Sequence, residues 1–514
     1  MRRERRALCA PALCLAVAAA LASCEKVKLE PDLDGTVSKD LRGESMKVDA
    51  RADGTRPDLV ASKGWAISAG GAGNDIVMSL LLDGPGNIVA LGHFEDTFSF
   101  QGVTLTAHGA RAVMPPGVCE GLALGGTGGI YVAKLDTTGK LLWAIDLPGD
   151  VECPHKDGLA ADAAGNIYVA VSFKGTVTCG TTPLTSKGDE DVLVAKVDPD
   201  GKVLWATSAG GSGIDDGNGI AVDSAGNTTV TGSFSGSAQF GATTLTAEGV
   251  RDAFVARLDS KGAFLWAVRA GGPNDLSSDW PWTEFGDAVA LDSGGNAHIL
   301  VHYYGSASFS GSNVTVKSSG GPHQADEFVA KLDPSGKVIW ASASKASPLG
   351  GVDKDLRLDE AGNSYIVGAY NSSPFVSPFV AKLDASGTFL WGNTIQTTGN
   401  NSFLQAIAAG STSSVISGTM SGTTTFGATA LTAKGKNDAL VAGIDPSGKF
   451  LWAEQAGGAD GEADAISVAR DDTGNIFVAG SVNGSITMGA TMLASHTRGF
   501  SDMFIWKIPA GSHP

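Results

Sequence analysis

Apolar residues along this chain come in short runs, broken by Gly, Asp, Asn and Ser, and the runs repeat. In the clearest stretch Gly219-Ile220-Ala221-Val222 leads into Asp223-Ser224-Ala225-Gly226-Asn227. Thr228 to Phe234 follows, then Asp252-Ala253-Phe254-Val255-Ala256-Arg257-Leu258-Asp259, then Lys261-Gly262-Ala263-Phe264-Leu265-Trp266. Apolar runs of this length bounded by turn residues predict strands, and no helical stripe runs through them. Each unit predicts four strands. Strand one ends in an Asp-x-x-Gly-Asn turn, which recurs at 162–166, 223–227, 292–296, 359–363 and 471–475. Gly accepts positive φ in such a turn, and the Asp side chain caps it through the backbone. Strand two follows at once, as in Ile167 to Phe173 and Ile476 to Ser481. After a longer loop, strand three begins at Tyr131, Phe254, Phe328 and Phe379, and in variant form at Val192, Leu440 and Phe504. A second Gly-containing turn leads to strand four with its Trp.

That Trp marks the period. It stands at Trp65, Trp143, Trp205, Trp266, Trp340, Trp391 and Trp452, at spacings of 78, 62, 61, 74, 51 and 61 residues. Four-stranded sheets repeated at such a period predict a β-propeller. Strands one to three occur seven times, the last set at 465–471, 476–481 and 502–508, with no fourth strand after it. Leu59 to Ser68, carrying Lys63-Gly64-Trp65-Ala66, supplies the missing strand from the other end. The expected fold is all-β: a seven-bladed β-propeller of four-stranded antiparallel blades, its ring closed by the N-terminal strand, with 58–514 as one domain. Composition agrees. Gly is 70 of 514 residues and evenly spread, and apolar residues reach 43% against 18% charged, which excludes a disordered chain.

The Gly-Gly…Asp, Val-Asp-x-x-Gly-Asn, Phe-Gly…Leu-Thr and Phe-Val-Ala-Lys-Leu-Asp elements, over roughly 59–508, resemble the bacterial propeller repeats known as SBBP repeats. Blade five lacks the Phe-Gly/Leu-Thr segment, and blade six has Gly410 to Ser414 in place of the Asp-x-x-Gly-Asn turn. The resemblance implies a scaffold and no particular reaction. Asp333 to Trp340 also resembles the hairpin of quinoprotein propellers, but nothing matches a quinone site, and no cofactor is expected.

The first residues read as an export signal. Arg2, Arg3, Arg5 and Arg6 precede an apolar stretch, Ala7 to Leu21, too short for a comfortable membrane span. Leu21-Ala22-Ser23-Cys24 resembles the lipobox of bacterial lipoproteins. That resemblance implies cleavage after residue 23, acylation of Cys24 and a membrane anchor, and Glu25 in place of aspartate favours the outer membrane. Residues 24–57 are polar, without apolar period, and are expected to form a flexible tether. The formal charge is −17, and −20 once four Arg and Glu4 leave with residues 1–23. An acidic exterior argues against nucleic acid as partner, and serves solubility equally well. A monomer is expected.

Loops from strand two to three, and from strand four to the next blade, emerge on one face and vary in length, which makes that face the candidate binding surface. Cys119, Cys153 and Cys179 lie there. A Cys119–Cys153 disulfide is the favoured pairing in an oxidising compartment, since both sit in insertions. His298 and His302 are four apart in a strand, roughly 13 Å, so one metal ion cannot bridge them. Asp75, Asp157, Asp215, Asp287 and Asp464 recur before strand one and read as fold elements. The ligand-binding candidates are Trp280, Trp282, Phe285, Tyr304 and His323, aromatic and His residues gathered in the loops of blade four. Rings presented on a rigid loop suit sugar faces or a protein partner. The leading expectation is a non-catalytic envelope scaffold, with a carbohydrate or an envelope protein as partner. The alternatives are a carbohydrate-active enzyme using paired carboxylates and an envelope-assembly lipoprotein.

Overall fold

The structure is a computed structural model that describes residues 26–28, 64–107, 128–147, 150–151, 156–273, 284–318, 325–343, 355–372, 375–399, 401–497 and 499–512. These residues form strands and turns, and no helix among them is long and apolar enough to cross a membrane. Antiparallel strands assemble in consecutive sets of four. The first unit is Asp75–Leu82, Ile88–Glu95, Gly128–Leu135 and Leu141–Leu147; the third is Asp215–Val222, Thr228–Phe234, Asp252–Leu258 and Phe264–Gly271. Units two, four, five and six repeat that order. The last unit, Gly461–Arg470, Ile476–Met488 and Asp502–Ile508, takes its fourth strand from Trp65–Ala69, with Trp65 opposite Lys507 and Ala69 opposite Met503. Lys26–Lys28, inside the segment expected as a tether, forms a fifth strand on the outer edge of unit one.

The turns hold as their sequence requires. Asp223 Oδ1 accepts from Ala225 N and Asn227 N, both at 2.9 Å, and Asn227 Nδ2 donates to Oδ2. Gly226 takes φ +80°. Asp83 to Asn87 makes the same turn in unit one. The Lys or Arg of strand three then pairs with the turn carboxylate of its own unit: Lys134 with Asp83 at 2.6 Å, Lys331 with Asp292 at 2.7 Å, Lys382 with Asp359 at 3.2 Å, and Arg257 with Asp223.

The loop between strands two and three was expected without structure of its own, yet it holds a small hairpin in every unit except the fifth, such as Thr97–Phe100 with Val103–Thr106. Four of the six hairpins pack an aromatic ring inward, as where Phe98 stacks on Tyr131 at 4.3 Å and Phe240 lies 4.7 Å from Phe254, and Met488 takes that place in the last unit. Cys179 takes that place in unit two, buried beside Val177 and Phe173. In five hairpins the outer strand also pairs with the end of the preceding unit's fourth strand, as Gln239 does with Gly210.

Successive units share cores. Apolar clusters join unit one to two, two to three, and so on to six and the last. A further cluster joins the last to the first, with Phe477, Ala479, Met503 and Ile505 packed against Val77, Leu80, Ile88 and Ala90. Ser467 Oγ accepts from Leu80 N at 3.0 Å across that junction, and Asp75 N donates to Ser501 O. The repeated Trp has the same task at six junctions. Its indole covers the Gly of the next unit's strand three-to-four turn: Trp65 over Gly139, Trp143 over Gly201, Trp205 over Gly262, Trp266 over Gly336, Trp340 over Gly387 and Trp391 over Gly448. These glycines have φ between +83° and +91°, and a Cβ on any of them would meet the ring. In five of the six, the indole N–H donates to a carbonyl of that turn, as Trp205 does to Ser260 O.

Candidate functional site

The starts of strands one and three and the ends of two and four lie on one face with the hairpins. On this face the first strand carries a β-bulge in five of the seven units, with register shifts at Val77/Ser79, Gly217/Gly219, Gly286/Ala288, Leu404/Ala406 and Ala465/Ser467. A bulge adds one residue to one strand and re-aims its neighbours. The expected recurrence of acids before strand one therefore resolves into three different positions. Asp75 and Asp215 face Phe94 and Phe234, Asp216 and Asp464 face Ser233 and Ser481, and Asp287 sits at the bulge itself.

Asp75 and Asp215 cap turns, as expected of a fold element. Asp75 Oδ2 accepts from Gly71 N, and Asp215 Oδ2 from Gly211 N, both at 2.6 Å. Glu284 takes the same position in unit four and accepts from Gly272 N at 2.8 Å. Each meets the buried carboxylate that opens strand three of the preceding unit. Burial, with Asp502 nearby, pushes Asp75 up to about 8, and burial beside Asp252 pushes Glu284 up to about 9. Burial also lifts Asp215, next to Asp191, to about 6. At these junctions burial and a neighbouring like charge both disfavour the ionised form.

Unit four departs most from the repeat. Phe285 stacks on His302 with ring centroids 4.7 Å apart and 16° between planes, and Tyr304 meets His302 edge-on at 5.2 Å. His302 Nδ1 lies 3.8 Å from Oε1 of the buried Glu327. The structure thus brings together the predicted Phe285 and Tyr304 through His302 of the same blade. Glu327 was missed, although its position carried a signal. Ile130, Val192, Ala253, Ala439 and Met503 occupy the corresponding place in other units, and Glu alone breaks that apolar pattern. His298, on the same strand, packs edge-on to Trp340 and bonds Ser364 Oγ at 3.0 Å, apart from His302's partners. Trp280, Trp282, His323, Cys24, Cys119 and Cys153 lie outside the described residues.

A second polar group ties together units that are not neighbours. Arg357 of unit five reaches Asp157 of unit two at 2.6 Å while holding its own Asp355 at 2.9 Å. Burial lifts Asp157 to about 7 against the pull of Arg357, with Asp355 adding to the rise. His93 of unit one is buried with neither ring nitrogen bonded among the described residues, and burial lowers it to about 4. No group of three or more His, Cys, Asp or Glu among the described residues is arranged to hold a metal ion.

No family model matches the chain. It is 30% identical over 120 residues to an uncharacterized WD repeat-containing protein of Acanthamoeba polyphaga mimivirus, covering 22% of this chain and 9% of that protein. It is 29% identical over 189 residues to the regulatory protein FlaEY of Caulobacter vibrioides, covering 35% of this chain and 18% of that protein. The chain thus spans less than a fifth of either relative. Among solved structures, an endosialidase of phage phi92 matches with TM-score 0.41 and 10% identity, over 88% of this chain and 70% of that one. Sqt1 of Chaetomium thermophilum matches with TM-score 0.40 and 12% identity, over 88% and 99%. At such scores neither bears on what this chain does.

Proposed function

We propose that the chain is a lipid-anchored, non-catalytic binding scaffold of the bacterial envelope, built as a seven-bladed β-propeller whose ring is closed by Trp65–Ala69. Seven apolar junctions for seven units support the ring, since an open row of seven would have six. Trp65 supports it too, covering the first unit's turn as Trp143 covers the second's. The Leu21 to Cys24 motif supports the anchor and an outer-membrane location.

The observation that carries the binding reading is the Phe285–His302–Tyr304 group, rings held in mutual contact at the end of a rigid sheet. Such a group offers apolar faces with polar edges, which suits a sugar ring or an aromatic-rich protein patch. The test is a glycan array and an envelope-protein pull-down on the full chain, beside Phe285→Ala, Tyr304→Ala and the Trp280/Trp282 double alanine variant. Binding reduced about tenfold or more in these variants, with folding intact, supports the site. Binding indifferent to all of them removes it. A stable envelope complex instead of a glycan hit favours the assembly role.

The enzymatic reading draws on Glu327, a carboxyl without counterpart in the other units, together with Glu284, which burial beside Asp252 pushes up to about 9. Glycoside hydrolysis uses two carboxyl groups, one as acid and one as base or nucleophile, and these two would have to supply them. Glycan turnover abolished by Glu327→Gln while binding persists would establish it.

A further inference from the structure

We propose that the first residues after Cys24 clamp the molecule rim-first against the lipid surface, so that the outer edge of unit one faces the membrane and the 24–57 segment does not act as a spacer. This rests on the lipid-anchor reading above. Lys26–Lys28 is paired antiparallel on the outer edge of Leu141–Leu147, with Lys26 opposite Ile145, Val27 opposite Ala144 and Lys28 opposite Trp143. Cys24 precedes Lys26 by two residues, so an acylated Cys24 sits within about 7 Å of that edge. A free tether from Cys24 to Trp65 would instead let the body stand off by roughly 35 Å on average. The pairing bypasses the tether.

The rim shows the same asymmetry. In units two to six the residue before the repeated Trp is a large apolar side chain open to solvent: Leu204 50%, Leu265 56%, Ile339 50%, Leu390 50% and Leu451 46% exposed. In unit one the counterpart, Leu142, is half-buried, and this is the edge that carries the added strand. An unpaired outer edge is a template for one more strand, and here the chain fills it with its own N-terminal residues. Seated this way, the rim beside unit one, with Leu204, turns toward the bilayer. Leu390, equally exposed but in unit five, turns away. Three residues of pairing are weak alone, but covalent attachment to the body gives them a high effective concentration.

Hydrogen exchange by mass spectrometry on the full acylated chain in phosphatidylcholine–phosphatidylethanolamine vesicles tests this, beside Cys24→Ser in solution. Peptides covering 141–147 are expected to be protected in both samples. Peptides covering 203–207 should slow about threefold or more in vesicles only, while those covering 389–393 stay unchanged. Val27→Pro keeps Cys24 and its lipid but cannot hold the ladder; it should erase both the 141–147 protection and the contrast between the two rims. Acylated protein with equal response at both rims, or with 141–147 unprotected, overturns the clamp and leaves the anchor standing. Absence of the acyl mass at Cys24 overturns the anchor itself, and the clamp with it.

Discussion

Replacing Trp65 with Ala strips the fourth strand of the last unit of its hold on the first. The indole covers Gly139, its N–H donates to Thr137 O at 3.3 Å, and its ring lies 6.5 Å from that of Phe477. A fully buried Trp→Ala exchange costs about 3–5 kcal/mol. Trp65 is half-exposed and its hydrogen bond is near solvent, so about 2–3 kcal/mol is expected. Trp205→Ala is the matched control. It breaks the same contact, over Gly262 and Ser260 O, between two units that the chain already joins. In a closed ring the two substitutions cost alike. Guanidinium unfolding followed by near-UV circular dichroism reads both, and limited proteolysis reports fraying at 64–69. Trp65→Ala within about 0.5 kcal/mol of the unchanged protein, while Trp205→Ala loses about 2 or more, would refute the closure.

Three further outcomes are expected. Asp75 holds its proton up to about pH 8 when folded and releases it near the usual carboxylate value, 3.8, when unfolded. The folded chain therefore binds the extra proton between those limits, and this contribution is full below pH 4 and lost as pH rises through 8; Asp75→Asn should flatten the fall between pH 5 and 8 in denaturant titrations. Arg357→Ala leaves Asp157 and Asp355 without their cation and should cost about 2–3 kcal/mol by chemical unfolding, largely restored by adding Asp157→Asn. Gly262→Ala puts a Cβ at φ +85° and 2.7 Å from the Trp205 ring, so a loss of at least about 1–2 kcal/mol is expected by the same assay.

Repetition made the scaffold legible. Four strands per unit, the Asp-x-x-Gly-Asn turn and the N-terminal fourth strand all appear in the chain as spaced motifs: the turn because its contacts span a few residues, and the N-terminal strand because Lys63-Gly64-Trp65-Ala66 repeats the pattern of the other fourth strands. The task of the Trp was not legible, since Gly139 or Gly262 belongs to the next unit, more than fifty residues on. The acids were grouped too coarsely for a local reason: Asp75 and Asp215 stand two residues before the aligned Val77 and Gly217, Asp464 one before Ala465, and Asp287 at the bulge, and adjacent strand residues point to opposite faces. Arg357 and Asp157, 200 residues apart and without counterparts in other units, left no pattern to read. In unit four Phe285 and Tyr304 were found from their chemistry, but that His302 joins them through ring contacts depends on the pairing of two strands, Phe285 lying opposite His302.

Unit six carries a lesson about how such a molecule changes over time. Where other units have an Asp turn answered by a Lys or Arg on strand three, this one has Gly410 and Gly443, and the indole of Trp452 occupies the space beside Gly443. Both halves of the charge pair are gone together. In unit two Cys179 stands where unit three has Phe240, and strand three has Leu193 where unit three has Phe254. The apolar pair elsewhere changes one side at a time, with Phe426 beside Leu440 in unit six and Met488 beside Phe504 in the last unit, whereas the charge pair is lost whole. A half-lost charge pair leaves an ion without its partner, which costs more than exchanging one apolar side chain for another of similar size.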